Sequence, residues 1–255
     1  MPLSLTPLSG IPDIHAGMDL VEIILSGIIK SNLTLQNNDI LVLAQKIVSK
    51  AEDRRINLAS IAPSAEAIAL ALKTDKDPRL VELILRESIG IIRTRPGTII
   101  TEHKLGFICA SAGIDHSNVA GEGNDNEEWV LLLPENPDQS ADKIRKGIEK
   151  KCNMNIGVLI IDSHGRAWRL GTVGAAIGMS GIPGLIDERG WKDLYGYTLQ
   201  ITVVGVADEL AAAASLIMGQ AAEGTPIVHV RGFPYPLREG SLAEIIRPKE
   251  QDLFR

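Results

Sequence analysis

Two aspartates stand at the ends of apolar, strand-like segments, and each is followed by polar residues that favour turns. The first segment runs from Gly106 to Asp115 and the second from Asn155 to Asp162. Apolar runs of this kind are typical of strands buried on both faces of a sheet, and ligands of open α/β sheets bind just beyond the carboxyl ends of such strands. If both carboxylates meet there, their repulsion at ~4 Å is roughly 4 kcal/mol at an effective dielectric near 20, which a cation or a shared proton must offset.

The neighbours of these aspartates favour a hard divalent ion over a shared proton. Ser117 and Asn118 follow the first aspartate, and Ser163 follows the second. Oxygen ligands of this kind suit magnesium or manganese. Each ending taken alone is also explained as a simple turn, because Asp, Ser and Asn are favoured turn residues. Two such endings in one chain favour a site, since a metal needs oxygen ligands from separate segments.

A cationic segment follows the strand that the sequence predicts over residues 39–44. Its polar side chains are Gln45, Lys46, Ser49 and Lys50. Lysine can bind phosphate as a point charge. Isolated lysines more often belong to a solvated face, so both interpretations stay open from these residues alone.

A short basic and aromatic cluster, Arg166, Trp168 and Arg169, follows the second aspartate. It either binds anionic substrate groups or stacks and pairs on the protein surface. Further on, Met218-Gly219-Gln220 ends an Ala-rich segment, where a glycine is expected simply as a helix stop. The sequence contains no P-loop, dinucleotide-binding glycine motif, zinc-protease helix or nucleophile elbow. A nucleotide would therefore be bound without the common phosphate loops.

Alternating helix and strand signals predict an α/β or α+β fold. Asp19 is expected to cap a helix that runs to Lys30, and Asp77-Pro78 to open another. A charge-dense helix is predicted over residues 140–151, on the exposed surface, and Asp208 is expected to cap the Ala-rich helix that ends near Met218. Further predictions are strands over residues 89–93, 98–101, 198–206 and 226–230, and a polar surface loop over residues 120–129.

Composition restricts the partners and the compartment. A net charge of −6 argues against nucleic acid or an anionic membrane as a partner. No apolar stretch approaches 18 residues and the start is not basic, so neither a membrane span nor a signal peptide is expected. The two cysteines, Cys109 and Cys152, lack a metal-type spacing, which indicates a reduced, cytoplasmic protein.

Taken in order, several segments resemble the coenzyme F(420)-0:gamma-glutamyl ligase family. The matching segments are residues 43–52 (LAQKIVSKAE), 76–88 (KDPRLVELILRES), 106–119 (GFICASAGIDHSNV), 131–134 (LLLP), 160–166 (IIDSHGR), 192–196 (KDLYG), 207–214 (ADELAAAA), 218–220 (MGQ) and 230–232 (VRG). The resemblance treats residues 1–255 as a single region. It implies an α/β fold of two subdomains, with boundaries that the sequence does not assign, and an intertwined homodimer.

The resemblance also implies an activity and a set of site residues. Family members are GTP-dependent ligases that join L-glutamate to the lactyl carboxylate of coenzyme F(420)-0 through an acyl phosphate, and some add further γ-linked glutamates. Carried over by position, Asp115, Asp162, Ser163 and Gln220 are expected to be ligands of divalent magnesium or manganese. A monovalent potassium ion is a further expected cofactor. Asp115, Asp162 and Arg166 are expected to carry catalysis, with Arg166 or Arg169 expected to bind a carboxylate of glutamate. The implied nucleotide contacts are Ile11, Pro12, Asp13, Ile14, Gln45, Lys46, Lys50, Asn118, Leu216, Ile217, Met218, Gly219, Gln220, Ala221, Ala222 and Glu223.

Two other functions could use the same residues. A metal-dependent nucleotide phosphohydrolase would release phosphate from GTP without an amine acceptor. A regulatory or carrier protein would bind nucleotide or deazaflavin without turnover. The requirement for glutamate separates these functions from a ligase.

Overall fold

The structure is a computed structural model that describes residues 2–119 and 128–253. Its α-helices are α1 (Leu20–Lys30), α2 (Gln45–Ala51), α3 (Ala65–Thr74), α4 (Pro78–Arg86), α5 (Pro137–Cys152), α6 (Val206–Met218) and α7 (Leu242–Ile245). Its strands are β1 (Ser4–Pro7), β2 (Ile40–Ala44), β3 (Arg55–Asn57), β4 (Ser88–Arg95), β5 (Thr98–His103), β6 (Ile108–Ala110), β7 (Trp129–Leu131), β8 (Gly157–Gly165), β9 (Thr172–Ser180), β10 (Ile186–Asp187), β11 (Val203–Val204) and β12 (Ile227–Arg231). Short 3-10 helices lie at Leu58–Ser60, Ser111–Gly113 and Lys249–Gln251.

A five-stranded mixed sheet in the order β1-β12-β2-β8-β9 organises the larger part of the chain. Its central strands β2 and β8 run parallel, and its other neighbouring strands pair antiparallel. Successive side chains of a strand point to opposite faces of the sheet. Accordingly, Leu41 and Leu43 belong to a buried cluster with α1 and α5, whereas Ile40 and Val42 belong to one with α6. The sheet is therefore buried on both faces.

A separate buried cluster forms around α3, α4 and the antiparallel sheet β4-β5-β6. It includes Val81 and Ile84 from α4, Ile99 from β5 and Val130 from β7. The mixed α/β class is thus confirmed, while the division into two subdomains and the intertwined dimer stay predictions. Among the described helices, none is long and apolar enough to cross a membrane.

The predicted starts of two helices are confirmed. The Asp19 carboxylate accepts a hydrogen bond from the Val21 backbone N–H at 2.9 Å and caps α1. Asp77 caps α4 in the same way, accepting from Arg79 N–H at 2.7 Å, with Pro78 at the first helical position. These local signals work because the side chain satisfies backbone donors that the helix itself leaves unpaired.

The prediction that two strands end at Asp115 and Asp162 is wrong. β6 stops at Ala110 and is followed by a 3-10 turn, and Asp115 itself forms an isolated bridge to Leu131. β8 continues past Asp162 because it pairs with β9 as far as Gly165. This pairing depends on a partner strand that local residue patterns do not reveal.

Three further predictions need correction. The helix α5 is not simply exposed, because Ile144 and Ile148 pack in the core. Asp208 is not the cap of α6, which begins at Val206 after Gly205; the Asp208 carboxylate instead accepts from the Ala176 N–H on β9 at 2.9 Å. The strand predicted over residues 198–206 is reduced to Val203–Val204. The loop predicted over residues 120–129 lies outside the described residues except for its last two, where β7 begins.

Candidate active site

A cavity of about 640 Å³ lies at the carboxyl end of β2, beside β8. Because these two strands are parallel and Ala44 pairs with Ile161, the residues that come next, Gln45 and Asp162, are brought to the same edge. Asp115, Asp162 and Ser163 line this cavity. The predicted nucleotide contacts in its lining are Ile11, Pro12, Asp13, Ile14, Gln45, Lys46, Lys50, Asn118, Met218, Gly219, Gln220, Ala221, Ala222 and Glu223.

Three predicted site residues lie outside the cavity lining. Leu216 and Ile217 belong to α6 but point to solvent. Arg166 is exposed just beyond β8, where its Nη1 donates to the Gly171 carbonyl at 3.2 Å. The structure therefore does not bring these three side chains together with the two aspartates.

The backbone of Asp115 is held firmly against β7. Its N–H donates to the Leu131 carbonyl at 3.0 Å, and the Leu131 N–H donates back at 2.9 Å. The preceding turn places Ala112 and Gly113 at φ 52° and 66°. A Cβ on Gly113 would lie 2.7 Å from Leu133 Cδ1, so this turn favours glycine for both conformation and space.

The first turn of α2 supplies the partners of the Asp115 side chain. Gln45 Nε2 donates to Asp115 Oδ2 at 2.8 Å, and Lys46 Nζ lies 3.4 Å from the same oxygen. The hydroxyl of Ser49, one helical turn later, donates to Gln45 Oε1 at 2.8 Å and so orients the amide. Lys46 Nζ also donates to the Ser117 hydroxyl at 2.9 Å. Gln45 and Ser49 are buried.

These partners do not fully balance the acidic charge. Burial raises the pKa of Asp115, and the Asp162 carboxylate raises it further, while Lys46 and Gln45 lower it to a smaller extent. Two carboxylates thus share a poorly solvated edge of the cavity and repel each other. This excess negative charge is suited to a cation.

Three rings pack one against the next beside Asp162. His164 Nε2 is 3.0 Å from Asp162 Oδ2, in an orientation outside the hydrogen-bond range. The His164 ring contacts Phe107 at a centroid distance of 5.0 Å, and Phe107 stacks on His103 at 5.2 Å. Burial, followed by nearby positive charge, lowers the pKa of His103 to about 4, so this ring is neutral near pH 7. The sequence did not predict this contact, because it ended the strand at Asp162, whereas β8 continues to Gly165 and places residues 162 and 164 on the same face.

The loop after α6 holds a second set of oxygens. The Ser163 hydroxyl donates to Gln220 Oε1 at 2.9 Å, and Gln220 Nε2 donates to the Ser215 hydroxyl at 3.1 Å. The structure therefore brings Ser163 and Gln220 into direct contact, while their role as metal ligands stays a prediction. Strand alternation places Ser163 on the face of β8 opposite to Asp162.

Two carboxylates in the cavity lining accept hydrogen bonds from other groups of the protein. Lys50 Nζ donates to Asp13 Oδ1 at 2.9 Å. The Glu223 carboxylate accepts from the Ala221 N–H at 2.8 Å, and backbone hydrogen bonds from Ala221 and its neighbours lower the pKa of Glu223. Carboxylates thus contact a lysine and backbone donors of the kind that also bind phosphate.

The donor set fits a magnesium-type ion better than a fully protein-built metal cage. Within residues 2–119 and 128–253, no three His, Cys, Asp or Glu side chains are grouped to hold a metal. Magnesium commonly uses only one or two carboxylates and completes its shell with water and substrate phosphates. Asp115 and Asp162, with the neutral oxygens of Ser163 and Gln220 in the same cavity, match that pattern.

Comparison with known proteins finds a family model and several relatives that match most of the chain. The model of the F(420)-0:gamma-glutamyl ligase family matches residues 10–232. A coenzyme F(420):L-glutamate ligase of Methanococcus maripaludis is 48% identical over 225 residues, 88% of each chain. Proteins of the same name from Methanothermobacter thermautotrophicus and Archaeoglobus fulgidus are 45% and 40% identical, covering all of this chain and 100% and 97% of their own. Since the matches extend over nearly the whole length, the chain belongs to the F(420)-0:gamma-glutamyl ligase family.

Proposed function

We propose that this protein is a GTP-dependent ligase that joins L-glutamate to the lactyl carboxylate of coenzyme F(420)-0. The observation that carries the proposal is the pair of repelling carboxylates, Asp115 and Asp162, in one cavity with Lys46 and Lys50. Such a cavity suits a polyphosphate and its cation. The family match and the names of the relatives support the choice of acceptor and amine.

The first step activates a carboxylate, which is a poor acyl donor on its own. A lactyl carboxylate oxygen attacks the γ-phosphorus of GTP, the bond from that phosphorus to the β–γ bridging oxygen breaks, and GDP leaves. Lys46 and Lys50 hold phosphate oxygens as point charges. Asp115, Asp162, Ser163 and Gln220 would hold magnesium or manganese, and the bound ion would supply charge stabilisation to the phosphates.

The second step forms the amide. The uncharged amine of glutamate attacks the carbon of the acyl phosphate, the C–O bond to phosphate breaks, and inorganic phosphate leaves with the electron pair while the amine loses a proton. We assign Arg166 or Arg169, both exposed beyond β8, to a carboxylate of glutamate, since a guanidinium can bind a carboxylate through two hydrogen bonds. Repetition of the two steps would add further γ-linked glutamates, and potassium is proposed as an auxiliary ion.

One assay separates this function from its two rivals. The protein is incubated with GTP, magnesium or manganese and coenzyme F(420)-0, with and without glutamate, and the products are weighed by mass spectrometry. The proposal predicts a product heavier by one glutamyl unit, formed only with glutamate. Phosphate release from GTP with no amine acceptor would indicate a phosphohydrolase instead. Ligand-induced stabilisation with neither product nor phosphate would indicate a binding protein.

A further inference from the structure

The ion pair between Asp13 and Lys50 lies in the lining of the cavity. Asp13 Oδ1 accepts from Lys50 Nζ at 2.9 Å and from the Ile14 N–H at 3.0 Å. The ring nitrogen Nε2 of His15 lies 4.0 Å from Asp13 Oδ2. An ammonium group, a backbone donor and an imidazole therefore converge on one carboxylate. Groups of this kind also bind phosphate oxygens.

The two partners are held very differently. The Lys50 side chain is 12% exposed and projects from α2, whereas the Asp13 side chain is 60% exposed. Asp13 belongs to residues 8–18, which form neither a helix nor a strand. The lysine is thus fixed in the cavity by regular structure, and the carboxylate reaches it from an irregular segment. A ligand anion that binds Lys50 therefore competes with the Asp13 carboxylate for the same nitrogen.

We propose that Asp13 is an affinity-determining residue whose carboxylate stands in for a ligand phosphate at Lys50. The inference rests on the proposed function, because the competing ligand is taken to be a nucleoside triphosphate. A phosphate that binds Lys50 must break the ion pair and leave the Asp13 carboxylate next to another anion. Both effects oppose binding, so Asp13 weakens the affinity for triphosphate even though it lines the cavity. A supporting nucleotide contact would have the opposite effect.

Isothermal titration calorimetry with magnesium and GTP tests this sign. Asp13→Asn keeps the side-chain shape and removes the charge, and it should lower the Kd for GTP by about twofold to fivefold, the range expected for an ion pair with one largely exposed partner. Asp13→Glu keeps a carboxylate and should stay within about twofold of wild type. Asp75→Asn is the matched control: Asp75 is exposed at the end of α3 with φ 51°, a conformation that Asn tolerates.

A second titration, with inorganic tripolyphosphate, shows whether the effect belongs to the phosphates. The inference predicts a similar gain of Asp13→Asn for GTP and for tripolyphosphate. It is overturned if Asp13→Asn binds either ligand no more tightly than Asp75→Asn does, or if only GTP shows the gain. Failure of the wild-type protein to bind GTP would count against the proposed function, and the tripolyphosphate titration would still decide the role of Asp13.

Discussion

Asp115 occupies a position that favours cation binding and destabilises the folded protein when no ligand is bound. Its carboxylate is largely removed from water and lies near the like charge of Asp162, and both effects raise its pKa. The hydrogen bond from Gln45 and the nearby Lys46 offset part of this cost. Residues that serve a ligand in this way commonly reduce the stability of the ligand-free protein.

Asp115→Asn should therefore raise the free energy of unfolding in the absence of divalent cations. The folded protein favours the neutral acid, so the protonated form contributes stability that is complete below the unfolded-state pKa near 3.8 and is lost as pH rises through the raised folded-state pKa. The advantage of the variant should be present at pH 7 and should disappear as pH falls towards 3.8. Urea unfolding at several pH values, with a chelator present, measures it. A variant less stable than wild type at pH 7 would contradict this account of Asp115.

For single elements, short sequence motifs predicted the helix caps, but they did not predict which strands pair. Asp19 and Asp77 act through backbone groups two residues away, so a short window of sequence contains both partners. β9 lies in a glycine-rich region for which the sequence predicted no strand. For its partner β8 the sequence predicted an end at Asp162, whereas the strand continues to Gly165. The reason is that glycine weakens strand propensity, whereas here close packing requires it.

Gly174 illustrates this requirement. A Cβ at this position would lie 2.4 Å from the Ala211 carbonyl oxygen and 2.6 Å from Ser215 Cβ, both on α6. Gly174→Ala should therefore push α6 away from the sheet and lower the free energy of unfolding by about 1–3 kcal/mol. Since Ser215 also orients Gln220, nucleotide affinity should weaken as well.

Gly90→Ala is the matched control for this substitution. A Cβ at Gly90, within β4, would meet no atom within 4 Å, so stability should be unchanged or slightly increased. Denaturant unfolding of the two variants beside wild type measures the difference. Equal stability of the two variants would mean that close approach of α6 does not explain the glycine.

At the scale of the whole molecule, the segment over residues 188–203 exposes an unusual number of large apolar side chains. Leu194 and Ile201 are 98% and 88% exposed, and Trp191, Tyr195 and Tyr197 are exposed as well. The segment is folded back on itself by hydrogen bonds such as Gly190 N–H to the Leu199 carbonyl. Large exposed apolar patches commonly mark association sites. The segment therefore supports the proposed homodimer.

Light scattering after size-exclusion chromatography should give a mass about twice the 27.5 kDa of one chain. Ile201→Glu places a charge in the exposed apolar segment and should shift the population to the monomer. Ile29→Glu, at an exposed position on α1, supplies the control and should leave the mass unchanged. A monomeric wild-type protein at micromolar concentration would contradict the dimer.

The sequence predicted which residues line the cavity only through the family resemblance, which rests on the order of the motifs along the chain. Residues from the segment before α1, from α2, from the turn before β7 and from the loop after α6 meet in one place. No local pattern predicts such a meeting, because it depends on how the sheet is assembled. The contact of His164 with Asp162 and with Phe107 shows the same limit, since Phe107 lies in the connection between β5 and β6, outside the sheet that contains His164.

The central claim is that Asp115 and Asp162 jointly bind one divalent cation. Electron paramagnetic resonance of Mn²⁺ in the presence of GTP tests it directly, by counting free and bound ion for wild type, Asp115→Asn and Asp162→Asn. Loss of a partner outside the ligand shell typically weakens metal affinity by 10- to 100-fold, so loss of either ligand should weaken it by more than about 100-fold. Binding of Mn²⁺ by either variant with the wild-type affinity would contradict the account.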